Sequence, residues 1–449
     1  MVTNFVKTSA LALLLASLGL AAQGTCTDGT VVQSIQLDGL KHTNARVVNR
    51  ELVNRVGEPF SAEKFEAEKL RLQDLDLFTE VSVSCEKAGE PAEPGLVKLT
   101  YSFKEIFRWI PAPAGKKTDR DGLMLGAALA NINVAGEDIR LEVQYRTTVD
   151  PFFDKNEAAF YASSPYLLGL PLGWNFEFLL TDSYDNIRDF QEKSILLDLD
   201  LEYKFLPHLS LLGTAAYRRL RDFANLPELG LGFAFDYRDS KLDTRDGVYF
   251  EYMLTHVGAG EEYLACSANI ESDEPVETES RFCNTDNGEN YWELLTDARA
   301  YKTFGRFVTG ATALVRYRPG DVKFYDYYYH GGANTFRGHE ADSGSLGTHE
   351  ALLTLEERFV LLERRAASVM GVNFFYGVQL VAGFDGSLLW DKGRPGWDNY
   401  EGAVYGGVHL VIPALDRIRF EVGYSPDRGE PVFYFGLFDK VTSSRWRSR

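Results

Sequence analysis

From about residue 105 onward, apolar and polar residues alternate in segments of roughly ten, each bounded by turn residues. The segments fall near 105–111, 121–131, 137–148, 156–164, 173–182, 192–205, 209–218 and 228–238. They continue near 246–255, 291–303, 306–318, 349–360, 372–385, 403–413, 417–425 and 431–438. The count is sixteen, and an even number suits a single chain that closes an antiparallel barrel. The pattern predicts a transmembrane β-barrel of about 16 antiparallel strands, with one side of each strand facing lipid and the other a lumen.

A different period precedes it. Val31, Ile35 and Leu37 mark a strand over 31–37 that Gly39 breaks. Asn44 is placed to cap a helix running through Leu52 and Val56 to Gly57. Ser61 opens a second helix, with Phe65, Leu70, Leu72 and Leu75 on one broad face. Strands follow at Val81–Ser84 and Leu96–Phe103. The order β-α-α-β-β predicts one small α+β domain before the barrel.

Composition then narrows the class. Aromatics make up 13% of the 449 residues, with 30 Phe and 23 Tyr, which suits aromatic girdles at two membrane interfaces. Beyond the N-terminus no run of 18 apolar residues occurs, so no transmembrane helix is encoded there. A net charge of −18 argues against nucleic acid as a partner, because phosphate binding needs a basic face. At the start, Lys7 precedes an apolar run from Ala10 to Ala22, and Ala22-Gln23-Gly24 offers small residues for cleavage. Residues 1–24 therefore read as a secretory signal peptide, since the run is too short to span a bilayer. Export puts Cys26, Cys85, Cys266 and Cys283 in an oxidising compartment. Three connectivities are open; the one favoured here joins Cys26 to Cys85 and Cys266 to Cys283.

The motifs for chemistry are poor. Ser343-Gly344-Ser345-Leu346-Gly347 lacks the first glycine of a nucleophile elbow and the strand–turn–helix around it. His339-Glu340 and His349-Glu350 lie ten residues apart, which is not a metal-site spacing. No phosphate-binding glycine loop or paired metal cysteines occur, so the expectation is no enzyme, no cofactor and no metal.

Several short motifs carry a resemblance. Gly331-Gly332-Ala333-Asn334-Thr335-Phe336-Arg337-Gly338 sits between late strands, after Asp236-Tyr237-Arg238-Asp239-Ser240 and Thr244-Arg245-Asp246-Gly247. Gly57-Glu58-Pro59-Phe60 and Leu77-Phe78-Thr79-Glu80-Val81 stand in the first domain. Together they resemble the BamA/TamA-type outer-membrane protein assembly (bacterial surface antigen) superfamily, here with a single POTRA domain. The resemblance implies a POTRA domain over 28–104 in the periplasm, a barrel over 105–439 in the bacterial outer membrane, and a basic tail over 440–449. It implies that the loop carrying Gly331, Gly332, Phe336, Arg337 and Gly338 folds back into the lumen. There Arg337 would pair with a carboxylate, with Asp385, Glu356 and Glu357 as candidates. The family has Phe or Tyr after this Arg-Gly, and this chain has His339. Phe433, Phe435 and Phe438 resemble the terminal β-signal of such barrels.

The function so implied is insertion of client β-barrel proteins by strand pairing at the POTRA edge and the barrel seam. The alternatives are a translocation pore for a dedicated secreted client, as in two-partner secretion, and a passive plugged channel or scaffold. The implied partners are outer-membrane lipids, unfolded outer-membrane or secreted clients, and periplasmic accessory proteins docked on the POTRA domain.

Overall fold

The structure is a computed structural model that describes residues 26–436 except 88–94, 119, 222, 241–242, 259–289, 333–334, 341–342, 370–371 and 413–414. The expected signal peptide, Cys266, Cys283, Phe438 and the basic tail lie outside the described residues. The chain divides between Glu105 and Ile106 into two compact units.

The first unit holds β1 (Val31–Asp38), α1 (Ala45–Asn49), α2 (Ala62–Asp74), β2 (Phe78–Lys87) and β3 (Leu96–Glu105). Its sheet has the order β1-β3-β2, with β1 parallel and β2 antiparallel to the central β3. Ser61 caps α2, its Oγ accepting the Lys64 N–H at 3.3 Å. Cys26 and Cys85 are joined in a disulfide.

Two details depart from the helical expectations. The first helix ends at Asn49 instead of running to Val56. The cause is Glu68 of α2, fully buried, whose carboxylate takes the backbone N–H groups of Val53 and Asn54. It also accepts the Asn54 Nδ2 at 3.1 Å and the Tyr101 hydroxyl at 2.8 Å. These bonds give the backbone an alternative to helix and satisfy a buried charge. Burial first, then the neighbouring Glu68 charge, pushes the Tyr101 phenol well above its ordinary range. On α2 itself the buried residues are Glu68 and Leu72, and Leu70 is exposed.

The second unit contains sixteen antiparallel barrel strands. The first eight are β4 (Trp109–Thr118), β5 (Gly122–Val134), β6 (Ile139–Thr148), β7 (Lys155–Ser164), β8 (Leu172–Asp185), β9 (Phe190–Leu206), β10 (Leu209–Leu220) and β11 (Ala224–Asp236). Next come β12 (Gly247–Val257), β13 (Tyr291–Phe304) and β14 (Phe307–Tyr317). A small two-stranded ribbon, β15 (Tyr328–His330) with β16 (Ser343–Gly347), interrupts the series. The barrel resumes with β17 (His349–Val369), β18 (Val372–Trp390), β19 (Tyr400–Ile412), β20 (Leu415–Tyr424) and β21 (Pro431–Gly436). Each barrel strand pairs with its neighbours in sequence, except that β14 pairs with β17 across the ribbon. The first barrel strand starts at Trp109, later than the alternation near 105–111 predicts. Glu105 still belongs to β3, and its carboxylate accepts the backbone N–H groups of His42 and Thr43.

The strands are inside-out relative to a soluble protein. On β6, Glu142, Gln144 and Arg146 are buried toward the lumen, whereas Val143 and Tyr145 are exposed. On β11, Glu228 is buried, and Leu229 and Leu231 are 66% and 73% exposed. Such an apolar exterior over a charged interior is stable only where the exterior meets lipid.

Candidate functional site

The loop from Arg318 to Thr348 runs from β14 to β17 and packs against the inner wall. Gly331 sits at a φ of 94°, and a Cβ there would lie 2.2 Å from the Glu340 carbonyl oxygen. Only glycine fits this turn. The Gly332 N–H then donates to the carbonyls of Phe336 and His339 at 3.1 and 3.2 Å. Phe336 is fully buried among Leu352, Ala403 and Leu314, and its ring stacks on His330 at 4.7 Å. Gly338 leaves room for that ring, since a Cβ would stand 2.4 Å from it.

This packing delivers Arg337 to inward-facing residues of four strands. Its Nε and Nη2 donate to the two oxygens of Asp385 (β18) at 2.7 and 2.8 Å. Its backbone N–H adds a third bond to Asp385 at 3.1 Å. Thr354 (β17) donates to Asp385 Oδ1 at 2.7 Å and holds the carboxylate in place. The guanidinium lies 3.3 Å from the ring centroid of Tyr405 (β19), and its Nη1 reaches Glu421 (β20) at 3.3 Å. Glu356 (β17) stands 3.6 Å from Nη1 and accepts the Tyr405 hydroxyl at 3.0 Å. A two-pronged, stacked arrangement of this kind fixes direction as well as distance.

Of the three candidate carboxylates, Asp385 and Glu356 come to Arg337 and Glu357 does not. Glu357 instead accepts the Thr309 Oγ1 at 2.6 Å, away from Arg337. The sequence reading missed Glu421, although a lone carboxylate between Phe420 and Val422 on an alternating strand was a usable signal.

The loop also crosses to the opposite wall. Arg218 of β10 and Tyr291 of β13 both donate to the Asp326 carboxylate. Tyr329 donates to Asp185 of β8, and the Arg188 guanidinium covers the Tyr329 ring at 4.0 Å. Val322 and Tyr325 join an apolar cluster with Phe190, Leu220 and Leu226.

A second feature is the seam between β4 and β21. These strands approach each other, but they are the two ends of the sheet, with no ladder between them among the described residues. The Ile132 N–H donates to the Arg108 carbonyl at 3.0 Å. Continued through the β4–β5 register, this turns the backbone groups of even-numbered β4 residues to β5 and those of odd-numbered ones to the seam. Two of the odd positions are Pro111 and Pro113, which have no N–H to donate. Inside the barrel, Ala114 and Ala128 pack with Ile110, Ala112, Ile412 and Ile418, so an apolar patch spans the closure. On β21, Phe433 is 69% exposed on the outer face, and Phe435 pairs with Phe420 of β20.

Residues 131–437 match the Omp85 superfamily domain. The chain belongs to the Omp85 superfamily. Residues 30–106 match the POTRA family described as surface antigen variable number repeat. Omp85 members are bacterial outer-membrane proteins of transport and assembly, not enzymes. CdiB from Escherichia coli aligns with a TM-score of 0.59 at 15% identity, covering 91% of this chain and 76% of that one. CdiB from Acinetobacter baumannii aligns at 0.52 and 12% identity, covering 91% and 73%. BamA from Haemophilus ducreyi lacking POTRA domains 1–3 aligns at 0.50 and 13%, covering 88% and 81%. At these identities the likeness is one of fold. No curated relative matches the sequence.

Proposed function

We propose that this Omp85 barrel inserts client β-barrel proteins into the outer membrane by pairing their strands at an opened β4–β21 seam. The observation that carries this reading is the donor-poor edge of β4. Pro111 and Pro113 remove two N–H groups from the side that closes the barrel. A seam so weakened separates at low cost, and the freed backbone of β21 then templates an incoming strand.

In this reading Arg337 is the anchor of the loop, with Asp385 and Glu421 as its acceptors, and the loop registers whether the seam is closed. The POTRA domain stands in the periplasm. The outer edge of β2 carries no paired strand among the described residues, so it offers clients or accessory proteins a first strand-addition site. Passage of a secreted client through the lumen is less well supported, because the loop spans the interior from β8 and β10 to β18 and β20.

Depletion followed by outer-membrane proteomics tests the reading. Insertion predicts loss of many barrel proteins. Loss of one extracellular protein with the barrels intact would replace it with dedicated translocation.

A further inference from the structure

His339, the residue that departs from the family's aromatic, lies beside a second histidine and a carboxylate. Its Nε2 is 2.6 Å from Glu401 Oε2, and His330 Nε2 is 4.0 Å from the same oxygen. One ligand atom from each of the three residues falls within 4.8 Å of the others. Glu401 comes from β19, where it pairs in register with the buried Ser387 and so faces inward. The two histidines flank the Arg337 turn.

We propose that His330, His339 and Glu401 form a binding site for a divalent transition metal, zinc(II) in the first instance, which clasps the lumen loop to β19. Two imidazoles and a carboxylate are an established zinc donor set, with an open position for water. Metal–ligand bonds near 2.0–2.1 Å in a tetrahedron place ligand atoms about 3.3 Å apart. The His339–Glu401 pair opens by less than an ångström to meet this, and the His330–Glu401 pair closes by less than an ångström.

A second, independent observation concerns the far side of the His330 ring. His330 is 1% exposed, and its Nδ1 has no hydrogen-bond partner among the described residues. That atom is 4.0 Å from Glu350 Oε1, which is also buried without a hydrogen-bond partner. A histidine whose Nδ1–H faces a carboxylate presents the Nε2 lone pair outward, the outer-shell arrangement that orients metal-bound histidines. Arg316 pairs with the other oxygen of Glu350 and holds it in position. A His339–Glu401 hydrogen bond alone leaves the His330–Glu350 juxtaposition without a purpose. Sequence spacing could not reveal the site, because its ligands come from a loop and a distant strand.

The test is zinc binding by the untagged full chain in detergent micelles. Calorimetry and metal analysis are expected to give one zinc per chain. X-ray absorption is expected to show two imidazole ligands with oxygen. Glu350→Gln should weaken binding by roughly 10–100-fold, as outer-shell losses do, and His339→Phe and Glu401→Gln by more. Zinc should also slow proteolysis of the loop in the wild type but not in His339→Phe. The proposal is overturned by a wild type that binds no zinc, by a spectrum without imidazole, or by variants that keep wild-type affinity. The wild-type spectrum alone decides the matter if the variants fail to fold.

Discussion

Lys117 and Tyr434 stand on opposite sides of the seam and are tied to consecutive residues of the same loop. Lys117 of β4 donates to Glu340 at 3.0 Å, and Tyr434 of β21 donates to the His339 carbonyl at 2.6 Å. The loop anchored by Arg337 thus holds both edges of the closure that the backbone leaves unzipped. The two ties are unequal. Lys117 has a side chain 60% exposed, and such bridges contribute only about 0–1 kcal/mol. The Tyr434 hydroxyl is part-buried, and leaving its acceptor unpaired costs about 1–3 kcal/mol. Tyr434→Phe should therefore raise the frequency of spontaneous openings in planar-bilayer conductance, and Lys117→Ala should change it little. Equal effects would mean that the loop does not latch β21.

Arg337→Ala strands Asp385, 1% exposed, without its cation. Breaking a buried pair in this way costs about 3–5 kcal/mol. The barrel itself rests on its ladders, so it should remain inserted and heat-modifiable while the loop becomes protease-sensitive. Arg337→Lys should rescue little, because a point charge cannot reproduce the two-pronged bond and the stack on Tyr405. Full loop protection in Arg337→Lys would show that charge alone suffices.

Restoring donors to the β4 edge should tighten the seam. Pro111→Ala with Pro113→Ala supplies two N–H groups, each contributing about 0.5–1.5 kcal/mol when bonded. The double variant should unfold at higher temperature on semi-native gels and insert clients more slowly. Faster insertion, or no change in either measurement, would remove the prolines from the account.

The POTRA domain makes a separate prediction. Its disulfide closes a sequence separation of 59 residues. Chain-entropy arguments put the stabilisation at about 4 kcal/mol for a loop of this length. Cys85→Ser should lower the denaturation midpoint of this domain and leave barrel heat-modifiability unchanged.

Much of this was legible in the sequence, for a physical reason. A two-residue period over charged-in, apolar-out strands is written residue by residue, so fifteen of the sixteen barrel strands stand where alternation predicts them, and β4 overlaps its predicted segment only at 109–111. The least accurate start was that of β4, where prolines interrupt the strand signal. The first helix was over-extended because a buried Glu68 captures two backbone donors from a distance that local propensity cannot see. The Arg337–Asp385 pairing came with the family resemblance. Tyr405 and Glu421 reach the same loop through the ladder of β18, β19 and β20, and Lys117 reaches it only across the closure, which no local pattern encodes.

The central claim is that a client strand pairs beside β21 at the open seam. Phe433 lies on the outer face of that strand, whereas Leu231, 73% exposed, sits on the remote wall. A photo-crosslinking amino acid at position 433 should capture unfolded outer-membrane barrel precursors in living cells, and one at position 231 should not. Adducts equal at both positions, or none with barrel precursors at position 433, would contradict the account.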